Sequence, residues 1–494
     1  MAERSFKEEV KSLRLGAGET FHGEGILAIT KALLEAGVSY VGGYQGAPIS
    51  HLMDVLADAE DILNELGVHY ESSANEATAA AMLAASVNYP LRGACAFKAP
   101  VGTNVAADAL ANLSSGGVTG GAMIIVGEDF GEGSSIMQER SHPYAMKSQI
   151  WLMDPRPNLP KIVECVHKGF ELSEASNTPV MLEVRIRTCH VTGTFETRDN
   201  VRPKFTRRDA IENPARDVNR IVLPPASFIH EKEKLEKRWP AAQDYIEKAG
   251  LNEFFDGDLS DIGLIVQGGI YNSTLRALEL NGLADAFGNS RLPIYVLNVT
   301  YPLVDREVIK FAAGKKAVLV IEEGAPEYIE QAIGSVFRKN DLQTKLHGKD
   351  FLPMGGEYTT MVLKTGLQKF VESLYPGVAP SRSSAGDNRV KAALAALDGN
   401  IHGRPPSFCT GCPERPIFTA MKLLMREMGQ IHVSCDIGCH LFSIMPPFGI
   451  GNTTMGYGLG SAGAAAFNTP RNKRAIAVMG DGGFWHNGLT SGVG

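Results

Sequence analysis

Near the end of the chain, Gly480-Asp481-Gly482-Gly483 follows an apolar run at 475–479 that reads as a buried parallel strand. At the C-terminal end of such a strand, glycine lets the backbone approach phosphate oxygens. An aspartate there is a hard oxygen ligand suited to Mg²⁺ bridging a diphosphate. Asp481 alone reads equally well as an ordinary turn residue. Of the seven cysteines, four cluster: Cys409 and Cys412 are separated by two residues, and Cys435 and Cys439 follow. Such thiolates suit tetrahedral zinc or an iron–sulfur cluster. A zinc ribbon would prefer a second two-residue gap, whereas Cys435 and Cys439 enclose three residues. Buried, unligated thiols are the plain alternative. Cys95, Cys165 and Cys189 are scattered and read as buried thiols.

Glu76 begins an almost wholly apolar helix. An acid in a first helical turn is favoured by the macrodipole, so a structural role accounts for it. The functional alternative is a shielded carboxyl that hydrogen-bonds a heterocyclic nitrogen. The glycine- and alanine-rich run 456–466 reads as a small-residue helix lying close on a sheet, or as an opening onto a diphosphate; close packing is the better reading.

The elements that must position these groups alternate helix and strand. Helical spacing over 23–36 is followed by a strand at 37–41 and glycines 42 and 43 at a turn. Residues 76–87 read as helix, and 93–97, 122–126 and 178–186 as strands, which together imply a parallel sheet with covered faces. A charged helical connector spans 230–249. A second α/β unit begins with a strand at 263–267, then a helix capped by Ser273, then strands at 294–298 and 317–321. A Pro/Ser-rich stretch, 375–384, marks another boundary, and the third unit starts near Pro405-Pro406.

A length of 494 residues is too great for one core. The net charge of −7 argues against nucleic acid or an anionic membrane as the main partner. The charged N-terminus has no apolar signal core, and apolar runs such as 122–126 are too short to span a bilayer. A soluble, cytoplasmic protein is the expectation.

In one order, the Asn75-Glu76 helix, the Cys-x-x-Cys-Pro unit at 409–413, Asp436-Ile437-Gly438-Cys439 and Gly480-Asp481-Gly482 resemble the thiamine-diphosphate-dependent 2-oxoacid:acceptor oxidoreductases. The likeness is greatest to the indolepyruvate:ferredoxin oxidoreductase alpha branch. The loop 44–50 (Tyr-Gln-Gly-Ala-Pro-Ile-Ser) resembles that branch's Tyr-Pro-Gly-Thr-Pro-Ser loop, and Glu322-Glu323-Gly324 its Glu-Glu-Gly turn. The resemblance covers essentially the whole chain.

It implies a multi-domain α/β fold. A pyrimidine-binding domain at 1–195 and an incomplete diphosphate-binding domain at 405–494, both with parallel sheets, would flank a transketolase C-terminal-like domain at 258–375. Linkers would span 196–257 and 376–404. By the same resemblance Glu76 pairs with N1′ of the aminopyrimidine, Asp481 binds Mg²⁺, and Gly480, Gly482 and Gly483 contact the diphosphate. Ile437, Gly438, Cys439 and His440 would line the cofactor. Cys409, Cys412 and Cys439 fall on three ligands of a [4Fe–4S] cluster, which leaves Cys435 spare. A fourth cluster ligand and the second Mg²⁺ ligand are expected beyond residue 494.

The implied activity is oxidative decarboxylation of a 2-oxoacid, an arylpyruvate such as indolepyruvate, to an acyl-CoA. Coenzyme A is the co-substrate and ferredoxin or a similar acceptor takes the electrons. A second catalytic subunit and an oligomer are implied too. Lys98 and Arg140 are candidates for the substrate carboxylate, although Arg140 reads at least equally as one end of a surface or interdomain ion pair. Ala47 and Gln45 depart from the family loop, where Thr and Pro stand, and this puts the substrate's identity in doubt. Two other functions remain open: a non-oxidative thiamine diphosphate decarboxylase or ligase, and a non-catalytic assembly subunit that binds zinc through Cys409, Cys412, Cys435 and Cys439.

Overall fold

The computed structural model describes residues 4–131, 135, 137–379, 385–401, 407–467 and 475–494. The chain divides into two compact units, Met1–Arg382 and Ser383–Gly494.

In the first unit the early strands are β1 (Thr20–Glu24), β2 (Tyr40–Gly43), β3 (His69–Ser72) and β4 (Gly93–Lys98). They are followed by β5 (Ala122–Glu128), β6 (Trp151–Met153), β7 (Val180–Arg185) and β8 (Thr192–Glu196). The second half holds β9 (Glu253–Phe255), β10 (Ile262–Gln267), β11 (Ile294–Leu297), β12 (Val299–Tyr301), β13 (Ala317–Ile321) and β14 (Lys345–His347). A seven-stranded sheet has the order β12-β6-β7-β5-β4-β2-β3 and a five-stranded sheet the order β14-β13-β10-β11-β9. Strands β2 to β7 pair in parallel, and the antiparallel β12 extends that sheet at its β6 edge. The chain leaves the second sheet at Leu297 and joins the first two residues later, which ties the two layers together.

Every residue of β5 and β10 is buried, as expected for parallel strands covered on both faces. Helices Gly25–Glu35 and Leu159–Ser176 lie against each other over the first sheet. The run read as one helix at 76–87 is divided into Glu76–Ala81, a 3₁₀ turn Met82–Ala84, and Ala85–Asn88. No helix among the described residues is long and apolar enough to cross a membrane.

Several local readings are corrected. The strand expected at 37–41 starts at Tyr40, because Gly37 has φ +71° and turns the chain out of the preceding helix. Gly42 and Gly43 lie within β2: a Cβ at Gly43 would stand 2.0 Å from the Met53 sulfur, so close helix–strand contact explains these glycines. Ser273 does not cap its helix, which starts at Tyr271 behind Ile270 and places Ser273 inside the first turn.

In the second unit, β15 (Val433–Cys435), β16 (Thr453–Thr454) and β17 (Ile476–Val478) form a parallel sheet of order β16-β15-β17. Strand β17 is parallel as expected, but Ile476 and Ala477 are exposed rather than buried. Helix Gly460–Ala465 is the small-residue helix read from the glycines: a Cβ at Gly460 would stand 3.2 Å from the Asp436 nitrogen on the sheet. Residues 380–384 and the expected domain start at Pro405-Pro406 lie outside the described residues.

Candidate active site

In the first unit the C-terminal ends of β2, β3 and β4 carry three features read from the sequence. Glu76 is the first residue of its helix and only 3% exposed. Asn75 caps that helix: its Oδ1 accepts from the Thr78 amide at 2.9 Å, and the Asn75 amide donates to Thr78 Oγ1 at 3.2 Å. Helix Ala99–Val105 approaches the glutamate through Gly102, where a Cβ would lie 3.1 Å from Glu76 Cγ and 2.3 Å from Phe97 Cδ2. Lys98 ends β4 and donates to the Ala47 carbonyl at 2.7 Å. Gly46 is required there, because a Cβ would stand 2.7 Å from Lys98 Cβ. Burial lowers the Lys98 pKa, opposed by the charge of Asp129. Loop 44–48 is thereby laid on Lys98 at one sheet edge.

Arg140 precedes helix Ser141–Ser148 and is buried. Its Nη1 donates to Glu322 Oε1 at 2.6 Å and to the Pro326 carbonyl at 2.7 Å, and its guanidinium lies over the Tyr328 ring. The ion-pair reading of Arg140 is therefore realised, between the β5 side of the first sheet and the turn after β13. Nη2 remains buried without a partner among the described residues, as does Nδ1 of His142, which stacks on Tyr328. Burial, then the Arg140 charge, holds the His142 pKa well below its usual value.

Beside this pair lies a charge cluster that the sequence reading missed. Arg185, at the end of β7, pairs with Asp154 and Glu183, each at 2.9 Å, and with Glu323. Burial, then Glu128 and Asp154, pushes the Glu183 pKa well above the carboxylate range. The available signal was Glu183 and Arg185 interrupting an apolar strand.

In the second unit Asp436 follows β15 and is fully buried. Its Oδ2 accepts from the Gly458 amide at 2.9 Å, its carbonyl accepts from His440 Nε2 at 3.1 Å, and its Oδ1 pairs with the same ring. Burial lowers the His440 pKa, but the Asp436 bond and charge outweigh it and the net shift is upward. After β17, Gly480 leads into the helical turn Asp481–Gly483, which continues as the helix Phe484–Val493. A Cβ at Gly483 would stand 2.0 Å from Asp436 Oδ2, one at Gly482 would stand 2.3 Å from Tyr457 Oη, and one at Gly458 (φ +77°) would stand 2.4 Å from the Gly483 carbonyl. Side chains are excluded from this turn by contact; Gly480 and Gly482 remain half-buried and Gly483 is buried.

Asp481 is exposed, and its Oδ1 accepts from the Gly482 amide at 2.8 Å. A hard carboxylate beside glycine amides at strand C-termini fits a metal-bridged diphosphate. Ile437 and Gly438 form the turn between Asp436 and the 3₁₀ segment Cys439–Ile444. Asp436, Tyr457 and Gly458 are the positions not assigned from sequence.

Cys409 and Cys439 are exposed, Cys412 is half-buried, and Cys435 is buried with Ser443 beside it. Burial raises the Cys439 pKa, and the charges of Glu414, Cys409 and Cys412 raise it further. Among the described residues no three His, Cys, Asp or Glu side chains are gathered closely enough to hold a metal ion.

Residues 436–491 match the family of thiamine pyrophosphate enzymes, C-terminal TPP binding domain. The match begins at Asp436 and includes Gly458 and the 480–483 turn. The chain is 29% identical over 472 residues to the indolepyruvate oxidoreductase subunit IorA of Methanothermobacter thermautotrophicus, which covers 94% of this chain and 70% of that one. Identity to the IorA of Archaeoglobus fulgidus is also 29%, over 475 residues, with the same coverage. The chain is thus similar over nearly its whole length to indolepyruvate oxidoreductase subunits, and over 436–491 to thiamine pyrophosphate enzymes. The fold is also that of a solved structure. The 2-oxoglutarate:ferredoxin oxidoreductase of Magnetococcus marinus superposes with a TM-score of 0.52 at 14% identity, over 71% of this chain and 65% of that one.

Proposed function

We propose that the protein oxidatively decarboxylates a 2-oxoacid, an arylpyruvate such as indolepyruvate, to an acyl-CoA and passes the electrons to ferredoxin or a similar acceptor. The observation that carries this reading is the 480–483 turn: a glycine cradle with an exposed aspartate, inside the segment that matches the thiamine pyrophosphate domain. The arylpyruvate and coenzyme A rest on the likeness to IorA proteins. A second subunit is proposed on the same ground, because those relatives are named as subunits.

In this reading 1–195 binds the aminopyrimidine, 258–375 is the transketolase C-terminal-like domain, and 405–494 binds the diphosphate. Asp481 supplies a carboxylate to Mg²⁺, and the amides of Gly480, Gly482 and Gly483 face the diphosphate oxygens. Thiamine diphosphate, when bound, supplies the electron sink for loss of CO₂. Glu76 holds a proton at the aminopyrimidine nitrogen, and its burial excludes water from that proton. Asp436 fixes the Gly458 loop and the His440 ring beneath the cradle. Lys98 remains a proposed contact for the substrate carboxylate. Arg140 is held by Glu322, so only its unpartnered Nη2 can serve one. Cys409, Cys412 and Cys439 are the thiolates proposed for a [4Fe–4S] cluster, and ligation requires them to draw together.

The test is anaerobic addition of indolepyruvate and coenzyme A to the protein with its natural partner while the visible spectrum is recorded. Bleaching of a brown chromophore that depends on the oxoacid supports the proposal. A colourless protein that releases CO₂ would replace it with a non-oxidative decarboxylase.

A further inference from the structure

A cavity of about 480 Å³ opens on the first unit at the edge of the sheet opposite the candidate active site. Ser39 and Leu66-Gly67, which line it, immediately precede β2 and β3. Loop 44–48 and Glu76 follow the other ends of those strands. Four strand residues separate the two edges, about 13 Å of rise. The remaining wall comes from the connector after β8 and includes Arg202, Pro203, Arg207 and Ile211.

Its chemistry is specific. Arg202 and Arg207 form no hydrogen bond or ion pair among the described residues, although the chain as a whole carries a net charge of −7. Arg208 and Glu212 also line the cavity and are paired with each other at 2.6 Å, which neutralises the one carboxylate of the wall. Gly67 (φ +74°) turns the chain so that a Cβ there would stand 3.9 Å from Arg202 Nε, which places this guanidinium against the cavity wall. Ser39 is 2% exposed, and both of its backbone groups are satisfied by Arg92 and His69, yet its Oγ has no partner among the described residues. Leu66, Pro203 and Ile211 add apolar surface.

We propose that this cavity binds a nucleotide, with Arg202 and Arg207 on the phosphates and the base against the apolar wall. Its volume lies in the range of small-molecule sites, roughly 300–1,000 Å³. Guanidinium groups pair with phosphate oxygens in a planar fork and stack on aromatic faces, so two unpaired arginines beside an apolar wall suit a ligand with both features. The site is distinct from the diphosphate cradle and independent of the reaction proposed above.

The probe is ADP, titrated calorimetrically into the 494-residue chain without divalent cations, so that the Mg²⁺-dependent diphosphate cradle does not compete. Inorganic phosphate and adenosine serve as partial probes. ADP is expected to bind with a dissociation constant below about 1 mM, more tightly than either fragment. The double variant Arg202→Ala/Arg207→Ala is expected to weaken it by about tenfold or more. Ile211→Glu changes a residue that is 80% exposed, so the fold tolerates it, and is expected to weaken ADP by charge repulsion. ADP affinity unchanged in these variants, or no binding at 1 mM, overturns the site. Phosphate binding as tightly as ADP overturns its nucleotide character.

Discussion

Replacing Arg140 by alanine removes one end of an ion pair whose side chains are only 2% and 1% exposed. The Glu322 carboxylate would then stay buried with its charge uncompensated, and breaking such a pair costs about 3–5 kcal/mol. Glu322 keeps two backbone donors, the Ile329 amide at 2.9 and 3.0 Å from its two oxygens and the Glu330 amide at 3.0 Å, so the lower figure, about 3 kcal/mol, is expected. That is a large share of a stability of about 5–15 kcal/mol and, for a unit spanning Met1–Arg382, amounts to a fall of about 4 °C in melting temperature. Urea denaturation of Arg140→Ala, Glu322→Gln and the double variant measures it as a mutant cycle. The double variant should recover a good part of the loss, because no unpaired charge remains. A loss below about 1 kcal/mol in Arg140→Ala, together with a raised KM for the oxoacid, would refute this reasoning. Arg140 would then be a substrate ligand, not a structural tie.

Glu76→Gln should retain thiamine diphosphate binding and lose turnover by about 10² or more; full turnover would remove the carboxyl from the mechanism. Gly458→Ala places a Cβ 2.4 Å from the Gly483 carbonyl at φ +77°. It should therefore weaken Mg²⁺-dependent cofactor binding at least tenfold while leaving the first unit's denaturation unchanged. A fourth prediction concerns pH. The Glu183 pKa is raised in the folded state, so its stabilising contribution is complete below the unfolded value of about 4.3 and is lost as pH rises toward the folded value. Glu183→Gln should therefore gain on the parent in urea midpoint as pH increases from about 4.3; a pH-independent difference would contradict this.

Much was determined by the sequence itself, because local rules decide it. Period and length marked strands at 263–267 and 317–321, found as Ile262–Gln267 and Ala317–Ile321, since a strand buried on both faces must be continuously apolar. The helix start at Glu76 and the glycine turn after β17 are likewise properties of a few adjacent residues.

What tertiary structure alone decided involves groups far apart in the chain. Arg140 reads as a substrate ligand or an ion pair until Glu322, which is 182 residues away, is seen at 2.6 Å. The glycines of β2 read as a turn until Met53 and Met82 are seen against them. Asp436 reads as one residue of a motif until its carboxylate is found on the Gly458 amide and on His440. Ser39 is unremarkable until the connector after β8 folds back and walls a cavity beside it. In each case burial raises the energetic weight of a polar group, and the identity of its partner depends on how the sheets are joined, which no local spacing encodes.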